Sequence, residues 1–117
     1  MSIRAIHYKN KLILYNSYRG LAAEDMLRNF DMTIKLIEAS PTQVLLLNDF
    51  DGEPVSPQLI DCARLFSRPA GKTKLVKTAI LGFHGIQSLL LDVLNTATGA
   101  HARSFTNEIA AKEWLVS

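Results

Sequence analysis

Ser40-Pro41-Thr42-Gln43-Val44-Leu45-Leu46-Leu47-Asn48-Asp49 is the stretch that decides the fold. Ser40-Pro41 stops any helix before it, because the residue preceding a proline is pushed out of the helical region. Val44-Leu45-Leu46-Leu47 then runs apolar without alternation. Side chains of a strand point alternately to opposite faces, so an unbroken apolar run predicts a strand covered on both sides. A parallel sheet with helices on each face provides that cover.

Upstream, Ile3 to Tyr8 is rich in β-branched and aromatic residues and reads as a strand, joined through a tight Lys9-Asn10 turn to a second strand, Leu12 to Tyr18. Gly20 ends it. Met26, Leu27, Phe30, Ile34 and Ile37 recur at helical spacing and predict a helix from Ala23 to Ala39, with Glu24 and Asp25 well placed in its first turn. Downstream, Ser56 as N-cap and Pro57 behind it start a helix whose inner face is Leu59, Cys62, Ala63 and Phe66. Pro69-Ala70-Gly71 ends it, and Lys74 to Gly82 is the next strand. Ile86, Leu89, Leu90, Val93, Leu94 and Ala97 give a clean amphipathic helix, terminated at Gly99. A short strand, Ala102 to Phe105, leads to a last helix capped by Thr106, with Ile109, Ala110 and Trp114 facing inward.

The predicted order is therefore β-β-α-β-α-β-α-β-α, an α/β fold with a largely parallel five-stranded sheet and an antiparallel first strand at its edge. The 117 residues suit one domain, 1–117. An apolar fraction of 48% and a charged fraction of 21% are those of an ordinary globular protein. No apolar run approaches the length that spans a bilayer, and Met1-Ser2-Ile3-Arg4 does not open a secretory signal. With Cys62 as the single cysteine, these features predict a cytoplasmic protein.

The net charge of +2 conceals an uneven distribution. Glu24, Asp25, Asp31, Glu38, Asp49, Asp51, Glu53 and Asp61 stand against only Arg28 and Lys35 across residues 24–61. Arg64, Arg68, Lys72, Lys74 and Lys77 follow with no acid among them through residue 91. Such segregation can steer a partner, drive pairing into a homodimer or attract an anionic membrane or lipid surface. Solvation of ordinary helix faces and loops accounts for the same residues.

The chemical motifs are thin. Gly71-Lys72-Thr73 imitates the end of a phosphate-binding loop, but Phe66 stands where the earlier glycine is needed and a strand follows instead of a helix. Asp49 and Asp51 fall at the end of the third strand, the rim where open α/β sheets bind ligands, and could hold Mg²⁺ or accept a phosphoryl group. A phospho-accepting receiver would also need an earlier acidic pair and a late lysine, and this chain has Asn16-Ser17 and Thr106-Asn107 there. Turn formation at Asp51-Gly52 explains the pair more simply. His7, His84 and His101 share no metal-ligand spacing, and His84-Gly85 falls on the same rim in a loop or capping place. Cys62 reads as a small buried hydrophobe and Trp114 as core. Nucleic-acid binding is not expected, because segment 64–77 carries only Phe66 as an aromatic platform. No catalytic constellation, cofactor motif or metal site is read.

The order of elements, with Lys77-Thr78-Ala79-Ile80-Leu81-Gly82, Ile86 to Leu94 and Phe105-Thr106-Asn107-Glu108-Ile109-Ala110-Ala111-Lys112-Glu113-Trp114-Leu115, resembles the STAS-like superfamily. Within it the chain is most similar to the SpoIIAA-like branch of small stand-alone bacterial proteins. That resemblance implies a βα superhelix without enzymatic activity of its own, acting as a binding module. Some such modules are anti-sigma-factor antagonists, switched by phosphorylation of a serine at the start of the helix after the third strand, within an Asp-Ser-Ser-Gly or Asp-Ser-Thr-Gly motif. Here the matching stretch is Asp51-Gly52-Glu53-Pro54-Val55-Ser56-Pro57, so Ser56 holds the place without the flanking residues. The resemblance also implies lipid or membrane association for some relatives. The leading expectation is a regulatory or protein-interaction module with an unnamed protein partner. The alternative is a binder of a small apolar ligand or an anionic membrane surface, through Arg64, Arg68, Lys72, Lys74 and Lys77. A third reading is a metal- or phosphate-dependent enzyme at the Asp49, Asp51 and His84 rim.

Overall fold

A computed structural model describes residues 2–51, 75–82 and 101–117. Its elements are β1 (Ser2–Tyr8), β2 (Lys11–Ser17), α1 (Ala23–Ala39), β3 (Val44–Asp49), β4 (Leu75–Leu81), β5 (His101–Phe105) and α2 (Glu108–Val116). The helices expected to begin at Ser56 and to run from Ile86 to Ala97 lie outside the described residues. The strands form one five-stranded sheet in the order β1-β2-β3-β4-β5. β1 pairs antiparallel with β2, and every later pair is parallel, as the sequence predicts.

The hairpin that opens the chain has a two-residue loop, Lys9 and Asn10, with φ of 48° and 65°. Positive φ at both central positions matches the natural strand twist. It sets Ile6 opposite Ile13 and Arg4 opposite Tyr15.

Parity along β3 then divides the molecule. Leu46 packs with Ile37 of α1, flanked by Leu14, Phe30, Ile34 and Val44. Leu47 packs on the other side with Ile13, Tyr15, Ala79, Leu81 and, from α2, Ala111 and Leu115. The apolar run is thus covered on both faces, by α1 on one and α2 on the other. A register shift between Val44 and Leu45 pairs Leu45 with Lys77. An unbroken register would have set Leu45 against Val76, so the irregularity turns Lys77 to the α2 side.

Two helical details differ from the sequence pattern. On α1 the buried line is Met26, Asn29, Thr33 and Ile37, so polar residues occupy its centre while Phe30 and Ile34 flank it. On α2 the N-cap is Asn107 rather than Thr106, its side chain accepting from the Ala110 amide at 3.1 Å. The face that meets the sheet is Ala111 and Leu115, with Trp114 half-buried against Phe105. Ile109 and Ala110 do not face inward, and Ile109 is 65% exposed. Residue 109 precedes 111 by two positions, about 200° around a helix, so both cannot meet one sheet.

Candidate functional site at the sheet rim

The C-terminal ends of β2 and β3 lie side by side, and the polar residues there divide by parity into two groups. Tyr15 and Asp49 stand on the α2 face, and Asn16 and Asn48 on the α1 face, where they are register partners.

On the α2 face, Asp49 is buried, with 2% of its surface exposed. The Tyr15 hydroxyl donates to its Oδ2 at 2.8 Å, and Arg19 places Nη2 3.2 Å from the same oxygen. The Arg19 Nε also lies 3.3 Å from Oδ2 of Asp51, an exposed residue in the left-handed region at φ 48°. Burial, and then the hydrogen bond to Asp49, raise the Tyr15 hydroxyl from the usual 10.0 to about 12. The Arg4 guanidinium stacks over the Tyr15 ring at 4.9 Å. The two aspartates singled out in the sequence are therefore brought together by a guanidinium. Among the described residues no group of three or more His, Cys, Asp or Glu side chains is placed to hold a metal ion.

On the α1 face, Asn16 Nδ2 donates to Thr33 Oγ1 at 2.6 Å and to the Tyr18 hydroxyl oxygen at 3.2 Å. Thr33 donates in turn to the backbone oxygen of Asn29, and Asn29 Nδ2 donates to the backbone oxygen of Ser17. Tyr18 stacks flat on Phe50, with ring centroids 4.3 Å apart. Burial pushes the Tyr18 hydroxyl well above its ordinary value. The chain beyond both strands stays tied to the sheet, Tyr18 N–H donating to Asp49 and Phe50 N–H to Leu81.

Of the remaining sequence candidates, the two that are described do not join this rim. Lys77 holds the far end of α2, its Nζ donating to the backbone oxygens of Trp114 and Ser117 and to Ser117 Oγ. His7 is exposed on β1. Ser56, His84, Arg64, Arg68, Lys72 and Lys74 lie outside the described residues. Tyr15, Arg19, Asn16, Asn29, Thr33 and Asn48 were not singled out in the sequence. For the asparagines and Thr33 the available signal was polarity at positions the strand and helix periods assign to the interior; Arg19, in the loop after β2, gave none.

A second surface feature lies at the opposite end of α1. Ala5, Leu12, Leu14, Leu36 and Val44, with Ser40, Thr42 and Gln43, line an open groove of about 200 Å³. Leu12 and Leu36 are 54% and 44% exposed.

No protein family matches the chain by sequence, and no curated protein does. Among solved structures it is similar to an uncharacterized DUF3478-family protein from Shewanella loihica PV-4 that has a SpoIIAA-like fold. The TM-score is 0.61 at 17% identity, covering 97% of this chain and 92% of that one. This chain has a SpoIIAA-like fold. The likeness bears out the architecture implied by the sequence resemblance, including the antiparallel first strand. At 17% identity it speaks to fold alone, and fold does not carry function. Among the described residues, no helix of this SpoIIAA-like chain is long and apolar enough to cross a membrane.

Proposed function

We propose that the chain is a non-enzymatic, cytoplasmic protein-interaction module, and that its partner inserts an apolar side chain into the groove beside β1. The groove carries this reading. Its lining is mostly aliphatic, and two of its leucines are left half in water, which a folded chain tolerates readily where a partner covers them. Its volume of about 200 Å³ lies below the range of roughly 300–1,000 Å³ typical of small-molecule sites. That size suits a protein side chain better than a free apolar ligand. The rim supports the same reading from the other side, since the Asp49 Oδ2 oxygen already holds both Tyr15 and Arg19.

The test is a pull-down with the wild-type chain and with Leu36→Lys, followed by direct titration of the recovered protein. Loss of binding in the folded Leu36→Lys variant supports the proposal. Binding that is unaffected by Leu36→Lys places the interface elsewhere. Salt-sensitive pelleting with anionic liposomes, without a protein partner, replaces this reading by the membrane one. A Mg²⁺-dependent activity lost in Asp49→Ala replaces it by the enzymatic one. Regulation through Ser56 is a further part of the proposal: Ser56→Asp weakens binding to the recovered partner while Ser56→Ala does not. Equal binding by the two variants removes it. Light scattering at tens of micromolar shows whether the partner is a second copy of the chain.

A further inference from the structure

Asn16, Asn29 and Asn48 are buried, at 0%, 0% and 7% exposure, and the Oδ1 oxygen of each has no hydrogen-bond partner among the described residues. They belong to one interface. Asn16 and Asn48 are register partners on the sheet face beneath α1, and Asn16 bonds Thr33, which bonds back to Asn29 one turn earlier on the helix. Reversing the amides does not remove the difficulty. A reversed Asn29 would set its oxygen against the Ser17 carbonyl. A reversed Asn16 would bring its oxygen to the Tyr18 hydroxyl and to a threonine hydroxyl already donating to Asn29, and would leave its amide N–H as the unmet group. The free atom at Asn29 is therefore an acceptor, Asn16 keeps one unmet polar group in either orientation, and such buried groups are costly to leave unmet.

The chemistry of the three oxygens selects what can meet them. As oriented here all are neutral acceptors, so an anion is repelled. Asp49 points to the other face of the sheet, which leaves no carboxylate of β2 or β3 here to neutralise a divalent cation. The near-zero exposure of all three residues demands something small. We propose that these amides form an internal water site bridging β2 and β3 to α1. A water molecule there donates two hydrogens to amide oxygens, and such sites need two to four polar partners. Helix α1 then rests on the sheet through an apolar contact at Ile37 and Leu46, through the direct bonds of Asn16 to Thr33 and of Asn29 to Ser17, and through water between them.

A crystal structure of the wild-type chain at about 1.5 Å, with denaturation of Asn48→Leu, tests this. The expected result is ordered water within hydrogen-bond distance of at least two of the three Oδ1 atoms, absent or displaced in Asn48→Leu. The unfolding equilibrium constant of that variant should rise about 5–30-fold, because the remaining water partners lose a bridge. A dry interface overturns the proposal, as does Asn48→Leu being more stable than wild type, since a merely orphaned oxygen is improved by removal. A density peak with the short contacts of a metal ion, coupled to a midpoint shift when potassium chloride replaces choline chloride, overturns it in favour of a cation.

Discussion

Replacing Tyr15 by Phe removes one hydroxyl from the rim and leaves the ring in the core with Ile13, Leu47 and Ala79. No cavity forms, so the cost is that of the hydrogen bond to Asp49. A hydrogen bond to a charged group contributes about 1.5–3 kcal/mol, where a neutral one contributes about 1. Arg19 remains beside Asp49, but its side chain is 59% exposed and its attraction is screened accordingly. Tyr15→Phe should therefore destabilise by about 1.5–3 kcal/mol, roughly a 10–150-fold increase in the unfolding constant. Urea denaturation at pH 7 measures it as a lower midpoint with an unchanged slope. The pH dependence gives a second readout. The Tyr15 hydroxyl titrates at about 12 in the folded chain against 10.0 ordinarily, so its contribution is complete below pH 10 and is lost as pH rises through about 12. The stability gap between wild type and Tyr15→Phe should shrink over that window. A change below about 0.5 kcal/mol, the range of an ordinary surface substitution, would refute the claim that the hydroxyl supports Asp49.

Other expectations follow from the same geometry. Leu115→Ala should cost about 2–5 kcal/mol by thermal or urea denaturation, whereas Ile109→Ala should stay within about 0.5; the reverse order would restore the inward face read from the sequence. Asn107→Ala should cost about 1 kcal/mol and Thr106→Ala much less, which identifies the cap of α2. Glu113 accepts from Lys9 and Tyr8, and these bonds, Lys9 foremost, hold its carboxyl below the ordinary carboxylate range. The tie between hairpin and α2 should be intact above the ordinary carboxylate range and lost as pH falls through the lowered value. Amide exchange at the hairpin tip should quicken there in wild type and be fast at all pH values in Glu113→Gln.

The elements were legible because they rest on local periodicity and punctuation. Helix α1 has the bounds its spacing and Ser40-Pro41 predict, and the unalternating Val44 to Leu47 run announced two covered faces before any helix was placed. The face of α2 was not legible. Ile109, Ala110, Ala111, Trp114 and Leu115 offer apolar residues nearly all around a short helix, and only the Asn107 cap and the approach of Ala111 to the sheet select one side.

The rim was hidden for a different reason. A polar residue inside an apolar period reads as an exposed position, so Asn16, Asn29, Thr33 and Asn48 looked like breaks in a pattern when they are the centre of an interface. Adjacent residues of each strand serve opposite faces: Tyr15 and Asn16 on β2, Asn48 and Asp49 on β3. A slip of one residue between these strands would carry the carboxylate beneath α1, away from Tyr15, and put an unpartnered amide into the Leu47 and Leu115 core. Apolar side chains alone would barely penalise that slip, because Leu45, Leu46 and Leu47 are interchangeable across it. The polar pairs penalise it strongly, since a buried carboxylate or amide without its partner costs more than a misplaced methyl group. The residues that spoil the apolar pattern at the strand ends are thus the ones that fix the register of a strand whose middle cannot fix its own.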